Sequence, residues 1–260
     1  METVTSQDGT VIAFDRSGRG EPLIVVSGAS SDRQADAALA SALAEHFDVL
    51  NYDRRGRGDS TDTLPFAVER EIDDIAALLD VAGAPPVLVG FSSGAALAAR
   101  AAASLPVRAL VMWEPPYPTD EQGIAAAAAY TLELKKRIDD GDHDGAFTLF
   151  LERVGLPAEA IAGMRQSPYW PRGVRLAPTL AYDDAALGGP IPADVFGTIS
   201  VPALVLSGGA SPKMLQDGAK AAAAAIPGSA YGSLDGQTHD VSADLLTAAV
   251  VDFASRLPAS

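Results

Sequence analysis

Short, wholly apolar runs that alternate with helical stripes restrict this fold more than any other feature of the chain. Leu23-Ile24-Val25-Val26, Val87-Leu88-Val89, Ala109-Leu110-Val111-Met112-Trp113 and Ala203-Leu204-Val205-Leu206 carry no polar side chain, and Val49-Leu50-Asn51-Tyr52 nearly qualifies. Strands without polar alternation are covered on both faces. Between them lie helical patterns, with Leu39, Leu43 and Phe47 on one face and Val68, Ile72, Ile75 and Leu79 on another. Gly83-Ala84-Pro85-Pro86 stops the second of these. An alanine-rich helix follows Gly94, another helix runs through Lys220, a last strand lies near Ala230-Tyr231, and a final helix carries Leu245, Leu246, Val250 and Phe253. The expected fold is α/β, a mostly parallel sheet with helices on both faces. Its first edge differs: Thr3-Val4-Thr5 and Val11-Ile12-Ala13-Phe14 flank Asp8-Gly9, which predicts an antiparallel ribbon.

The alternation breaks between about Tyr117 and Thr198. That stretch shows helical segments at Ala125 to Arg137, Asp144 to Val154 and Pro157 to Met164, and no convincing strand. The reading is a core of residues 1–116 and 199–260 with a helical cap, 117–198, inserted over the sheet. Tyr130, Phe147, Phe150, Met164, Tyr169, Trp170 and Tyr182 fall in the insert. Most should form its own core, and a few should face the cleft beneath.

Composition narrows the function. With 19 Lys and Arg against 34 Asp and Glu, the net charge is -15, a field that repels nucleic acid and anionic membranes. The absence of cysteine excludes disulfides, thiolate catalysis and cysteine-ligated metals. No apolar run approaches membrane-spanning length, and the first residues show no basic segment leading into an apolar one. A cytoplasmic protein acting on a small molecule is the expectation, with neither nucleic-acid nor membrane partners.

The chemical signal is Gly90-Phe91-Ser92-Ser93-Gly94, a G-x-S-x-G pattern set between a buried strand and a helix. A serine on so sharp a turn has strained backbone angles and needs small neighbours. Its hydroxyl is pushed beyond the sheet, facing a helix N-terminus that favours negative charge. The plainer alternative is a helix N-cap. Ser93, at the variable position, should matter through its backbone N–H. A serine nucleophile needs a base, and the chain has His46, His143 and His239. His46 lies on a helix and His143 in a polar turn of the insert. His239, in Gly236-Gln237-Thr238-His239-Asp240, follows the last strand at the carboxyl end of the sheet, where active-site groups of such folds collect.

These pieces resemble the α/β-hydrolase superfamily over nearly the whole chain, through Leu23 to Ser30, Tyr52 to Ser60, Val87 to Gly94, Val201 to Pro212 and Gly236 to His239. The run Tyr52-Asp53-Arg54-Arg55-Gly56-Arg57-Gly58-Asp59-Ser60 is similar to a family loop beside the active site. The resemblance implies an oxyanion hole from the backbone N–H groups of Ser93 and Ala29, the latter in Ser27-Gly28-Ala29 where members often read His-Gly-x. It also implies an aspartate a few residues after Leu206, but this chain has Ser211 there and no carboxylate nearby. Some relatives, including haloalkane dehalogenases, take the acid from the end of the preceding core strand. Glu114 stands in that place, in Trp113-Glu114-Pro115-Pro116. A strand-end glutamate can equally cap a turn or pair with an arginine, while Asp235 and Asp240 lie so close to His239 in sequence that their side chains should point elsewhere. Dehalogenases and epoxide hydrolases use an aspartate nucleophile, which Ser92 excludes here.

The expected activity is hydrolysis of an ester, thioester or lactone of a small, mainly apolar substrate through acyl-Ser92. His239 is the base, Glu114 its acid partner, and no metal or organic cofactor is called for. The same fold also supports lyases, cyclases, cofactor-free oxygenases and ligand receptors.

Overall fold

Parity along the strands divides the core into two faces. Ile24 and Val26 point into one apolar cluster with Leu50, Leu88, Leu110, Met112 and Val205, while Leu23 and Val25 join Val49, Val87, Val89, Val111 and Leu206 in another. Each such fully buried aliphatic side chain contributes roughly 1.5–3 kcal/mol, so a one-residue slip in register would forfeit both faces at once.

The computed structural model describes residues 1–258. Eight strands form one sheet: β1 (Glu2–Thr5), β2 (Val11–Gly18), β3 (Pro22–Val26), β4 (Asp48–Tyr52), β5 (Val87–Phe91), β6 (Ala109–Trp113), β7 (Ala203–Gly208) and β8 (Ala230–Leu234), in the order β1-β2-β4-β3-β5-β6-β7-β8. The predicted ribbon forms, with Glu2 opposite Phe14 and the turn passing through Gly9 at φ 87. From β4 to β8 all pairs are parallel.

Helices α1 (Ala37–Leu43), α2 (Val68–Ala82) and α3 (Ser93–Ala102) alternate with the early strands. Between β6 and β7 comes an inserted helical region: α4 (Glu121–Asp139), α5 (His143–Arg153), α6 (Ala158–Met164), α7 (Trp170–Leu176), a 3-10 turn at Ala177–Thr179, α8 (Leu180–Leu187) and α9 (Ala193–Phe196). The chain closes with α10 (Lys213–Ala225) and α11 (Ala243–Ser255). Helices α1 and α11 cover one face of the sheet; α2, α3 and α10 cover the other. Among the described residues no helix is long and apolar enough to cross a membrane.

In α3 every residue except Arg100 is buried. Its alanines let the helix sit close to β5, β6 and α8 together, which larger side chains would prevent. The inserted region has its own cluster, built on Leu134, Phe147, Leu151, Ile161, Trp170 and Leu180. Of the aromatics noted in the sequence, Phe147 and Trp170 belong to that cluster, Tyr130 and Phe150 line the cavity below, and Tyr169 is exposed. Tyr182 instead stacks on Phe66 at 3.8 Å and donates to Asp62 at 2.6 Å. Helices α7, α8 and α9 carry no sequence signal that marked them in advance, because they are short and their apolar residues go to different places: Trp170 of α7 to the insert's cluster, Phe196 of α9 to the core, and α8 to both through Leu180 and Ala186.

Candidate active site

The strand order creates the site. From β3 the chain runs out to β4 on one side and then back across β3 to β5 on the other, so the loops leaving β3 and β5 diverge at a switch point. Val26 pairs with Gly90, which sets Ser27-Gly28-Ala29 beside Ser92. Phe91 pairs with Trp113, and Trp113 with Leu206, so Glu114 leaves β6 in the next row. The ladder continues past the strand ends: Ser92 N–H donates to Trp113 O at 2.8 Å, and Glu114 N–H to Leu206 O at 3.0 Å.

Ser92 has φ 52 and ψ -123, and its side chain makes no capping bond to α3. The N-cap alternative therefore fails on geometry. The flanking glycines are required by close approach. A Cβ on Gly90 would lie 2.6 Å from Ala95 Cα, and one on Gly94 would run into the carbonyl oxygens of Val26 and Ser27. These neighbours are backbone and cannot swing aside. Gly94→Ala is expected to lower stability by about 2–4 kcal/mol, at the upper end of single-residue effects. Urea unfolding followed by circular dichroism checks this; a wild-type midpoint would contradict it.

Among the described residues only Ser30, Ser92 and Glu114 are non-glycines with left-handed φ. All three leave adjacent strands at this one rim. Such backbone costs on the order of 1–3 kcal/mol per residue and clusters where a site has to be held in shape.

Glu114 is fully buried. Its Oε2 lies 2.7 Å from His239 Nδ1, and its Oε1 accepts the Gly208 N–H at 2.7 Å. Burial pushes this carboxyl up. The bonds from His239 and the Gly208 amide, the neighbouring Ser211 hydroxyl and the imidazole's charge outweigh that and hold it below the ordinary glutamate range. Ser211, at the position where the family carries aspartate, is itself buried beside Glu114, although its hydroxyl falls short of good hydrogen-bond geometry. The loop bearing His239 is pinned by Trp113 Nε1, which donates to the His239 carbonyl at 3.0 Å. Asp235, Asp240 and His46 are exposed.

A carboxylate held low stabilises the fold above its unfolded pKa, because the unfolded chain then binds more protons as pH falls. The contribution is complete above the ordinary value of 4.5 and is lost as pH falls through the folded value. The gap in thermal midpoint between wild type and Glu114→Gln is expected to be full well above the ordinary value of 4.5 and to close as pH falls through the folded value below it. A gap that widens in acid would contradict the shift.

Ser92, His239, Ala29 and Ser93 all line a cavity of 470 Å³ beneath the inserted helices. Most of its remaining wall is apolar, with Pro116, Tyr130, Phe150, Leu180, Leu187 and Met214 prominent. Among the described residues no hydrogen bond joins the Ser92 hydroxyl to His239, and the N–H groups of Ala29 and Ser93 have no acceptor. Ser27, in place of the family's histidine, is buried and donates to Asp36 at 2.5 Å. The loop after β3 is thus tied to the start of α1 by a hydroxyl. Asp183 of α8 also lines the cavity and accepts from the Ser93 hydroxyl at 2.8 Å. Nothing in the local sequence singled it out, since the adjacent Asp183 and Asp184 of a helical insert read as a solvated face.

A family model described as the alpha/beta hydrolase family matches residues 23–252. The chain belongs to that family. An alpha/beta hydrolase from Sphaerobacter thermophilus DSM 20745 is similar at 45% identity over 97% of this chain and 100% of its own, with a TM-score of 0.88. A thermophilic esterase from Thermogutta terrifontis shares 22% identity over 98% of both chains at a TM-score of 0.71. The enol-lactonase of Burkholderia xenovorans LB400 shares 21% over 98% of this chain and 100% of its own, at 0.70. The last two show that the hydrolase fold is common to all three.

Proposed function

We propose that this alpha/beta hydrolase cleaves carboxylic esters, thioesters or lactones of small, mainly apolar substrates through an acyl-Ser92 intermediate. The observation that carries this reading is the 2.7 Å contact between His239 Nδ1 and buried Glu114, with both Ser92 and His239 on one cavity wall. A carboxylate on Nδ1 fixes the imidazole tautomer that leaves Nε2 as proton acceptor. The imidazole takes the Ser92 proton as the hydroxyl oxygen attacks the carbonyl carbon. The oxyanion is held by the N–H groups of Ala29 and Ser93, each worth on the order of 3 kcal/mol. Collapse expels the alcohol, thiol or ring oxygen, which receives the proton from His239. Water then repeats the sequence in reverse and frees the acid. Residues 117–198 act as the lid, whose apolar wall favours substrates that shed water on entry.

The expected result is stoichiometric labelling of Ser92 by a fluorophosphonate, located by peptide mass spectrometry, together with turnover of short p-nitrophenyl esters. Labelling without turnover of any ester, thioester or lactone would assign the site to a lyase, cyclase or oxygenase. Absence of labelling in folded protein would remove the nucleophile.

A further inference from the structure

The charged loop after β4 is solvated by protein rather than by water. Arg54 and Arg57 are both buried, and both converge on Asp183 of α8: Arg54 Nη1 at 2.5 Å and Arg57 Nη2 at 2.8 Å. Burial pushes the Asp183 carboxyl up, but the two guanidinium groups and the Ser93 hydroxyl hold it below the usual range. Arg54 is further clamped by Glu71 through two bonds of 2.8 Å. What remains of each arginine reaches the loop after β3. Arg57 Nη1 donates to Gly28 O at 2.7 Å and approaches Ser31 O at 3.3 Å, while Arg54 Nη1 approaches Ser27 O at 3.3 Å.

The bond to Gly28 O bears on the chemistry. Gly28–Ala29 is a trans peptide, so its carbonyl and the Ala29 N–H lie in one plane and point in opposite directions. Drawing the carbonyl toward Arg57 turns the N–H the other way and holds it there. The second amide assigned to the oxyanion belongs to Ser93, whose side chain bonds the same Asp183. One carboxylate therefore ties both amides together, directly at Ser93 and through Arg57 at Ala29.

Stability alone does not account for this network. Buried ion pairs often contribute little net stability, and Arg57 Nε is buried with no acceptor, which costs further free energy. The geometry points to Arg57 and Asp183 as positioning residues that orient the oxyanion-binding amides. Since Asp183 sits on the inserted α8, the hole is complete only with that helix seated on the core. This inference rests on the serine-hydrolase reading.

The test uses full-length Asp183→Asn and Arg57→Met with a p-nitrophenyl ester, and a boronic acid as a tetrahedral analogue. Asn offers one acceptor oxygen where Asp offers two, so the bond to Arg57 is lost with little change of shape. Both variants are expected to lose about 10²-fold in kcat, the lower end for an oxyanion donor. KM should stay within about twofold, and boronate affinity should fall in step with kcat/KM. Arg57→Lys should recover part of kcat, because an ammonium can still reach a carbonyl. Folded variants with wild-type kcat, or with a change in KM alone, would overturn the assignment. So would failure of both variants to fold, which would make the network structural. Absence of ester turnover in the wild type would instead sink the hydrolase reading itself.

Discussion

Glu114→Gln is expected to lower kcat by about 10⁴-fold, the scale found when a triad acid is replaced by its amide. The isosteric amide can still accept the Gly208 N–H, so the strand end should hold its shape. Its NH₂, however, presents a donor to His239 Nδ1, and the imidazole then relieves the clash by moving its proton to Nε2, the atom needed as base. KM should change little, because Glu114 is fully buried beneath His239 and lies away from the cavity wall. Steady-state kinetics with a p-nitrophenyl ester, beside a near-wild-type circular dichroism spectrum, checks this. A fully active variant would place the acid elsewhere. The position of Ser211 supplies a complementary arm. Its side chain is buried near Glu114, so Glu114→Gln/Ser211→Asp should regain part of the lost rate by supplying a carboxylate from the family's usual side. No recovery would show that the β7 loop cannot orient an acid toward His239.

Ser92→Ala is expected to remove turnover by about 10⁶-fold and to abolish fluorophosphonate labelling, since nothing else on the cavity wall is placed to form the acyl intermediate. Stability should hold or rise slightly. Alanine removes a hydroxyl that makes no capping bond, and the positive φ is already enforced by the surrounding backbone. Retained label on the variant would point to Ser93, the only neighbouring hydroxyl in the motif. That outcome is disfavoured by the bond that turns Ser93 Oγ onto Asp183. A variant with unchanged ester turnover would leave Ser92 as a structural turn residue and end the acyl-enzyme reading.

The inserted region supplies much of the cavity wall. Its aromatics divide between an internal cluster and the cavity wall, with Tyr130 and Phe150 on the wall and Phe147 and Trp170 inside. Their helical spacing was plain from the start. Which side of each helix turned inward was not, because spacing along a helix does not say which neighbour will cover it: α4, 19 residues long, buries only Leu134.

Local periodicity and turn chemistry were enough to define the core. Wholly apolar runs demanded a sheet covered twice, Asp8-Gly9 marked the antiparallel ribbon, and Gly90 to Gly94 marked the elbow. These features are legible because each is decided within a few residues: strand parity, a turn that only glycine tolerates, a strand leading into a helix. Glu114 was legible only as a carboxylate at a strand end, and its contact with His239, 125 residues away, depends on the neighbouring positions of β6, β7 and β8. Asp183 was not legible at all. Its partners Arg54, Arg57 and Ser93 lie about 90 to 130 residues away, and one of two consecutive aspartates on a helix gives no hint of them. Sequence by itself determined the elements of the core and the turns, since those are settled by short-range sterics and burial. The meeting of charges at the rim was decided by tertiary packing alone, because only the closed core can remove the water that would otherwise satisfy each of them separately.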